Sequence, residues 1–98
     1  MILSVRFDPA ASHELREAAD FYELRRPGLG DEFLDEAHAL LDRVAEHPAA
    51  WPVTLGETRK AVLSRFPYSI MYWIDDAGVN VSAVAHHSRR PFYWGDRD

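Results

Sequence analysis

The sequence predicts an α+β fold: an N-terminal strand, a helical hairpin and then a three-stranded antiparallel meander, in the order β-α-α-β-β-β. Three observations predict it. Residues 65–74 and 79–87 are β-rich runs flanking Asp75-Asp76-Ala77-Gly78, a short turn ending in Gly. Residues 9–26 and 31–47 carry apolar side chains at helical spacing. About four residues separate these two helical stretches, which favours an antiparallel pair.

Each element has its own local reason. Residues 2–7 alternate, with Leu3, Val5 and Phe7 opposing Ile2, Ser4 and Arg6, as in a strand with one buried face. Asp8 before Pro9 is a helix start, because the cap accepts an orphan N–H and Pro has none to leave unpaired. Ala11, Leu15, Ala18, Ala19 and Tyr22 form the apolar stripe of the first helix. Glu14 and Glu17 lie early and Arg25 and Arg26 late, which suits the helix dipole. Pro27-Gly28 ends the helix.

Asp31 is the expected cap of the second helix, whose stripe is Phe33, Ala37, Leu40, Leu41 and Val44. Pro48 stops it. Residues 48–58 hold two Pro, one Gly and Trp51, and read as a packed loop. Residues 59–64 form the next strand, and Phe66-Pro67 turns into the following one. There Tyr68, Ile70, Tyr72 and Ile74 share one face, with Ser69, Met71 and Trp73 on the other. In the last strand Val79, Val81, Ala83 and Ala85 alternate with Asn80, Ser82, Val84 and His86. With the hairpin on one side, the sheet's other face stays partly exposed, and such a face usually serves a partner.

Ninety-eight residues, 47% of them hydrophobic, make one domain spanning residues 1–98 with a modest core. No apolar run is long enough to cross a bilayer and the N-terminus shows no signal pattern, so a cytoplasmic protein is expected. The absence of cysteine excludes disulfides and thiolate metal sites. Charge is unevenly divided: residues 1–58 carry five Arg against twelve Asp or Glu, and residues 59–98 six Lys or Arg against four Asp. The acidic total of −5 argues against binding free nucleic acid through a broad basic surface.

Taken in order, several groups carry a resemblance across nearly the whole chain. They are Phe7 with Pro9-Ala10, Ala18-Ala19 with Tyr22-Glu23, and Arg26-Pro27-Gly28-Leu29-Gly30 with Phe33-Leu34. Next come Glu46-His47-Pro48 with Trp51-Pro52, and Arg65-Phe66-Pro67-Tyr68 with Ile70 and Tyr72. Last are Ala83-Val84-Ala85-His86 with Arg89, Pro91 and Trp94. Their order and spacing resemble the RelE/ParE family of toxins from bacterial type II toxin–antitoxin modules. The resemblance implies a growth-arresting toxin neutralised by a cognate antitoxin, with no cofactor. It implies one of two targets: the ribosome, where RelE-like members cut mRNA, or DNA gyrase, which ParE-like members trap on DNA. A shared fold does not choose between them.

Cleavage by 2′-OH attack needs groups that activate the hydroxyl, stabilise the developing charge and protonate the leaving oxygen. The resemblance implies His87, Arg89 and Tyr93 as catalytic residues if the chain is a metal-independent nuclease. Ser69 stands where the nuclease branch carries an Arg. Arg59, Lys60, Arg65 and His86 are candidate contacts to nucleic acid or another target. The missing cation and the acidic helices favour the gyrase-binding reading, which needs a surface and no catalytic set. A degenerate member that binds an antitoxin but is not toxic is the third reading.

Structural roles compete for the same residues. Arg65 either touches nucleic acid or braces the helical hairpin. Arg89 and Arg90 are also suited to pairing with the acidic helices, Arg90 especially. Trp51, Trp73 and Trp94 read as packing residues, with Trp94 covering the edge of the core. His86 and His87 are adjacent on a strand and point to opposite faces, so they do not jointly chelate a metal; no metal site is expected.

Overall fold

The computed structural model describes residues 3–97. A strand β1 (Val5–Phe7) leads into helices α1 (Pro9–Arg25) and α2 (Leu29–Glu46), then a 3₁₀ turn at Pro48–Ala50. Strands β2 (Val53–Leu55), β3 (Thr58–Val62), β4 (Tyr68–Asp75) and β5 (Gly78–His86) follow. They form a five-stranded sheet in the order β1-β5-β4-β3-β2. The meander is antiparallel throughout, while β1 runs parallel to β5, with Val5 opposite Val79. The stretch read as a packed loop thus contributes a further edge strand, β2. Ile2, counted in the first strand from sequence, lies outside the described residues.

The helical hairpin forms for the expected reasons, with one correction. Asp8 caps α1 by accepting the Ala10 N–H at 2.8 Å, and Pro9 takes the first position. Asp31 does not cap α2. That helix starts three residues earlier, its N-cap being Gly28, which takes a left-handed φ of 89°. Its orphan N–H groups are capped from the preceding helix: Glu23 accepts from Gly28 at 2.9 Å and from Gly30 at 3.1 Å. Gly30 also lets the helices close up, since a Cβ there would lie 2.6 Å from the Ala19 carbonyl oxygen.

The main core lies between the hairpin and the sheet. Ala11, Ala18, Phe33, Ala37, Leu40 and Val44 meet Ala61, Ile70, Tyr72, Val79, Val81 and Val84. Tyr22, Phe33, Phe66 and Tyr68 pack as an aromatic group with centroids 4.8–6.2 Å apart. Such pairs add about 0.5–1.5 kcal/mol each beyond burial alone. The buried Tyr72 donates its hydroxyl to the Pro48 carbonyl at 2.6 Å, tying the sheet to the 3₁₀ turn.

A second, smaller core sits on the opposite face: Met71, Ala83, Ala85 and Trp94, with Tyr93 against it. Residues 88–97 cross this face as a series of turns, so it is partly covered by the chain itself. Trp94 is 2% exposed and is a core residue, not an edge cover. The unbroken alternation expected for residues 79–86 is also corrected. Met71 pairs with Ala83 and Tyr72 with Val81, leaving Ser82 as an extra residue in β5. This bulge turns Val84 toward the helices with Val79 and Val81, and Ala83 and Ala85 to the other side.

Candidate functional site

The end of the meander builds a cleft of about 190 Å³ on the face away from the helices. Its floor is Ser69 and Met71 from β4 and Ala85 from β5; Lys60 stands on one side, and residues 89–94 form the opposing wall. Pockets for drug-sized ligands begin at about 300 Å³. This cleft suits a small group or part of a larger partner.

Four and five residues after the bulge at Ser82, the paired histidines separate as expected. His86 packs its ring edge-on against Tyr68, with centroids 5.0 Å apart, and its Nδ1 accepts the Ser88 N–H at 3.0 Å. His87 turns the other way and sets Nε2 2.9 Å from the hydroxyl of the fully buried Ser69. Among the described residues no three His, Asp or Glu side chains converge as metal ligands.

Tyr93 donates its hydroxyl to Glu14 at 2.7 Å. Burial and that bond both push its pKa up, so the phenol stays protonated and aimed at α1. Arg89 lies 3.9 Å over the Tyr93 ring and 4.0 Å from Glu14. His87, Arg89 and Tyr93 all line the cleft, but each already has a partner within the chain.

Of the remaining candidates, Lys60 and His86 also line the cleft, and Arg59 and Arg65 do not. Lys60 is exposed and joins the cleft. Arg59 turns to the helix side and donates to the carbonyls of Trp51 at 2.6 Å and Ala49 at 3.3 Å, bracing the 3₁₀ turn. Arg65 pairs with Glu32 at 2.8 Å, a contact that fits the bracing role, with its side chain still largely exposed. Arg90 reaches no acidic helix; it is exposed at the cleft, and its neighbour Arg89 makes the approach instead.

Sequence reasoning missed Glu14. Its early place in α1 suits the helix dipole on sequence alone, but Glu14 lies beyond the first turn, which holds no acid, and that local reading hid a tertiary role. The carboxylate also accepts from the Val84 backbone N–H at 3.0 Å and from Arg97 at 2.9 Å. No local signal in the sequence marks those partners, which lie at least seventy residues away.

The family model for the ParE toxin of the type II toxin–antitoxin system, parDE, matches residues 5–91. The chain belongs to the ParE toxin family. No curated protein shows a significant sequence match. Among solved structures, a chain of the chromosomal ParDE toxin–antitoxin system from P. aeruginosa is similar with a TM-score of 0.76. The two are 15% identical, over 87% of this chain and 96% of that one, so this likeness speaks for the fold alone. The ParE match takes in His87 and Arg89 and stops before Tyr93 and Trp94. No helix among the described residues is long and apolar enough to cross a membrane.

Proposed function

We propose that this ParE-family chain is a cytoplasmic toxin neutralised by a cognate antitoxin, and that it arrests growth by binding DNA gyrase. The observation that carries this reading is the commitment of Tyr93 to Glu14. A nuclease needs groups free to move protons and to hold developing negative charge. Here the phenol is a protonated donor facing a carboxylate, Arg89 is stacked upon it, and Ser69 stands where the resemblance to nucleases would put a cation. Binding needs only a surface. Phe21 and Leu24, 48% and 89% exposed and one turn apart on α1, give a partner apolar contacts.

The test is a supercoiling assay with purified gyrase and the purified toxin. Inhibition that rises with toxin, and is relieved by the antitoxin encoded beside it, supports the reading. Undisturbed supercoiling at a large excess of toxin overturns it. Ribosome-dependent mRNA cleavage is the second reading, favoured by Lys60, His87 and Arg90 lining one cleft. Toeprinting after induction would then show breaks in phase with codons.

A further inference from the structure

We infer that Glu14 is a positioning residue: its carboxylate latches residues 88–97 across the sheet and so holds the wall of the cleft in place. The inference goes beyond the choice of target and stands whichever one the toxin takes.

The topology creates the need for such a group. β1 ends at Phe7, and its last backbone bond to β5 runs from the Asp8 N–H to the Val81 carbonyl. Beyond that point the outer edge of β5 has no neighbouring strand among the described residues. An unpaired edge N–H or C=O must find another partner or water. Glu14 Oε1 takes the Val84 N–H at 3.0 Å, and Arg97 donates to the Ser82 carbonyl at 3.1 Å. The two side chains then pair with each other at 2.9 Å. Glu14 therefore completes the sheet edge and fastens the end of the strap with one carboxylate.

Its other oxygen does the rest. Oε2 accepts the Tyr93 hydroxyl at 2.7 Å and lies 4.0 Å from Arg89. Three strap residues, Arg89, Tyr93 and Arg97, thus converge on a carboxylate that is only 12% exposed. Removing it leaves the half-buried phenol of Tyr93 without its acceptor and Arg97 with the Ser82 carbonyl alone, which is costlier than losing the bonds by themselves. The strap needs such a hold. Phe92 sits at φ 60°, a left-handed conformation that non-glycine residues keep only when their surroundings impose it. Under the strap lie Met71, Ala83 and Ala85, which its release would bare.

The test compares amide hydrogen exchange of the full chain with that of the Glu14→Gln and Glu14→Ala variants. Local release of the strap predicts exchange at residues 89–97 at least about tenfold faster in Glu14→Ala, with α2 and β3 changed by less than about twofold. Glu14→Gln, which keeps an acceptor but no charge, should fall between the two. Tyr93 gives an independent readout, followed through its ring carbons by NMR. Its ionisation should move down toward that of an ordinary tyrosine in both variants. A uniform rise in exchange over the whole chain would mean that Glu14 is merely structural and would overturn the inference. So would an unchanged strap. An unchanged Tyr93 would also remove the observation that carries the binding reading, but the supercoiling assay tests that reading by itself, so the two failures are told apart.

Discussion

The carboxylate of Glu36, on α2, accepts the backbone N–H of Ser64 at 2.6 Å. It takes the Ser64 hydroxyl as well, at 3.0 Å, and lies 3.3 Å from the Arg65 N–H. One helix side chain thus satisfies the turn between β3 and β4, where the chain leaves the ladder. Glu36→Ala should cost about 1–2 kcal/mol, since it orphans backbone donors at a site that water partly reaches. Urea unfolding of the variant and the parent checks this.

The same corner should make stability depend on pH. Hydrogen bonds from Arg65 and Arg26 hold the Glu32 carboxyl below its ordinary value of 4.5. Burial pushes the Glu36 carboxyl up, but bonds from Ser64 and Arg65 outweigh it and hold it below 4.5 as well. A carboxyl with a lowered folded-state pKa stabilises the fold above its unfolded value. That contribution disappears as pH falls through the folded value. The melting temperature should therefore drop as pH is lowered from about 5 to 3, and the drop should be shallower in Glu32→Gln/Glu36→Gln. Parallel melting curves for the two proteins across that window would contradict the assignment.

Capping separates the two acids that compete for the start of α2. Glu23→Ala removes the acceptor for Gly28 and Gly30 and should cost about 1 kcal/mol. Asp31→Ala, which removes no cap, should cost less than about 0.5 kcal/mol. Chemical denaturation of both variants decides the order.

Gly30→Ala offers a test of sign. In an open helix the change stabilises by about 1 kcal/mol. Here the new Cβ would meet the Ala19 carbonyl oxygen at 2.6 Å, a backbone atom that cannot rotate away. Overpacking of this kind costs about 1–3 kcal/mol, so the variant should melt below the parent. A higher melting temperature would show that the helices do not approach so closely.

What could be read from sequence, and what could not, follows from the range of each interaction. Asp8-Pro9, the stripe from Phe33 to Val44 and the Asp75–Gly78 turn are local, and each appears where its residues place it. Strand β2 was hidden by its length of three residues and by exposed Val53 and Leu55. The bulge at Ser82 left no trace in the pattern, because Ala83 and Ala85 are small enough to pack on either face. At the site, the resemblance named His87, Arg89 and Tyr93 together, and all three line one cleft. The partners that occupy them were not legible: Glu14 and Ser69 are 79 and 18 residues from the groups they hold. Arg59 and Arg65 were candidates because they are cationic, yet carbonyls and Glu32 take them.

The claim on which the functional reading rests is that arrest comes from binding and not from cutting. Growth after induction of a His87→Ala/Tyr93→Phe toxin tests it most directly, with the soluble level of the variant matched to the parent. A binding toxin predicts arrest within about twofold of the parent, because neither change removes the exposed face of α1. Normal growth of the variant, alongside codon-phased mRNA breaks produced by the parent, would contradict it.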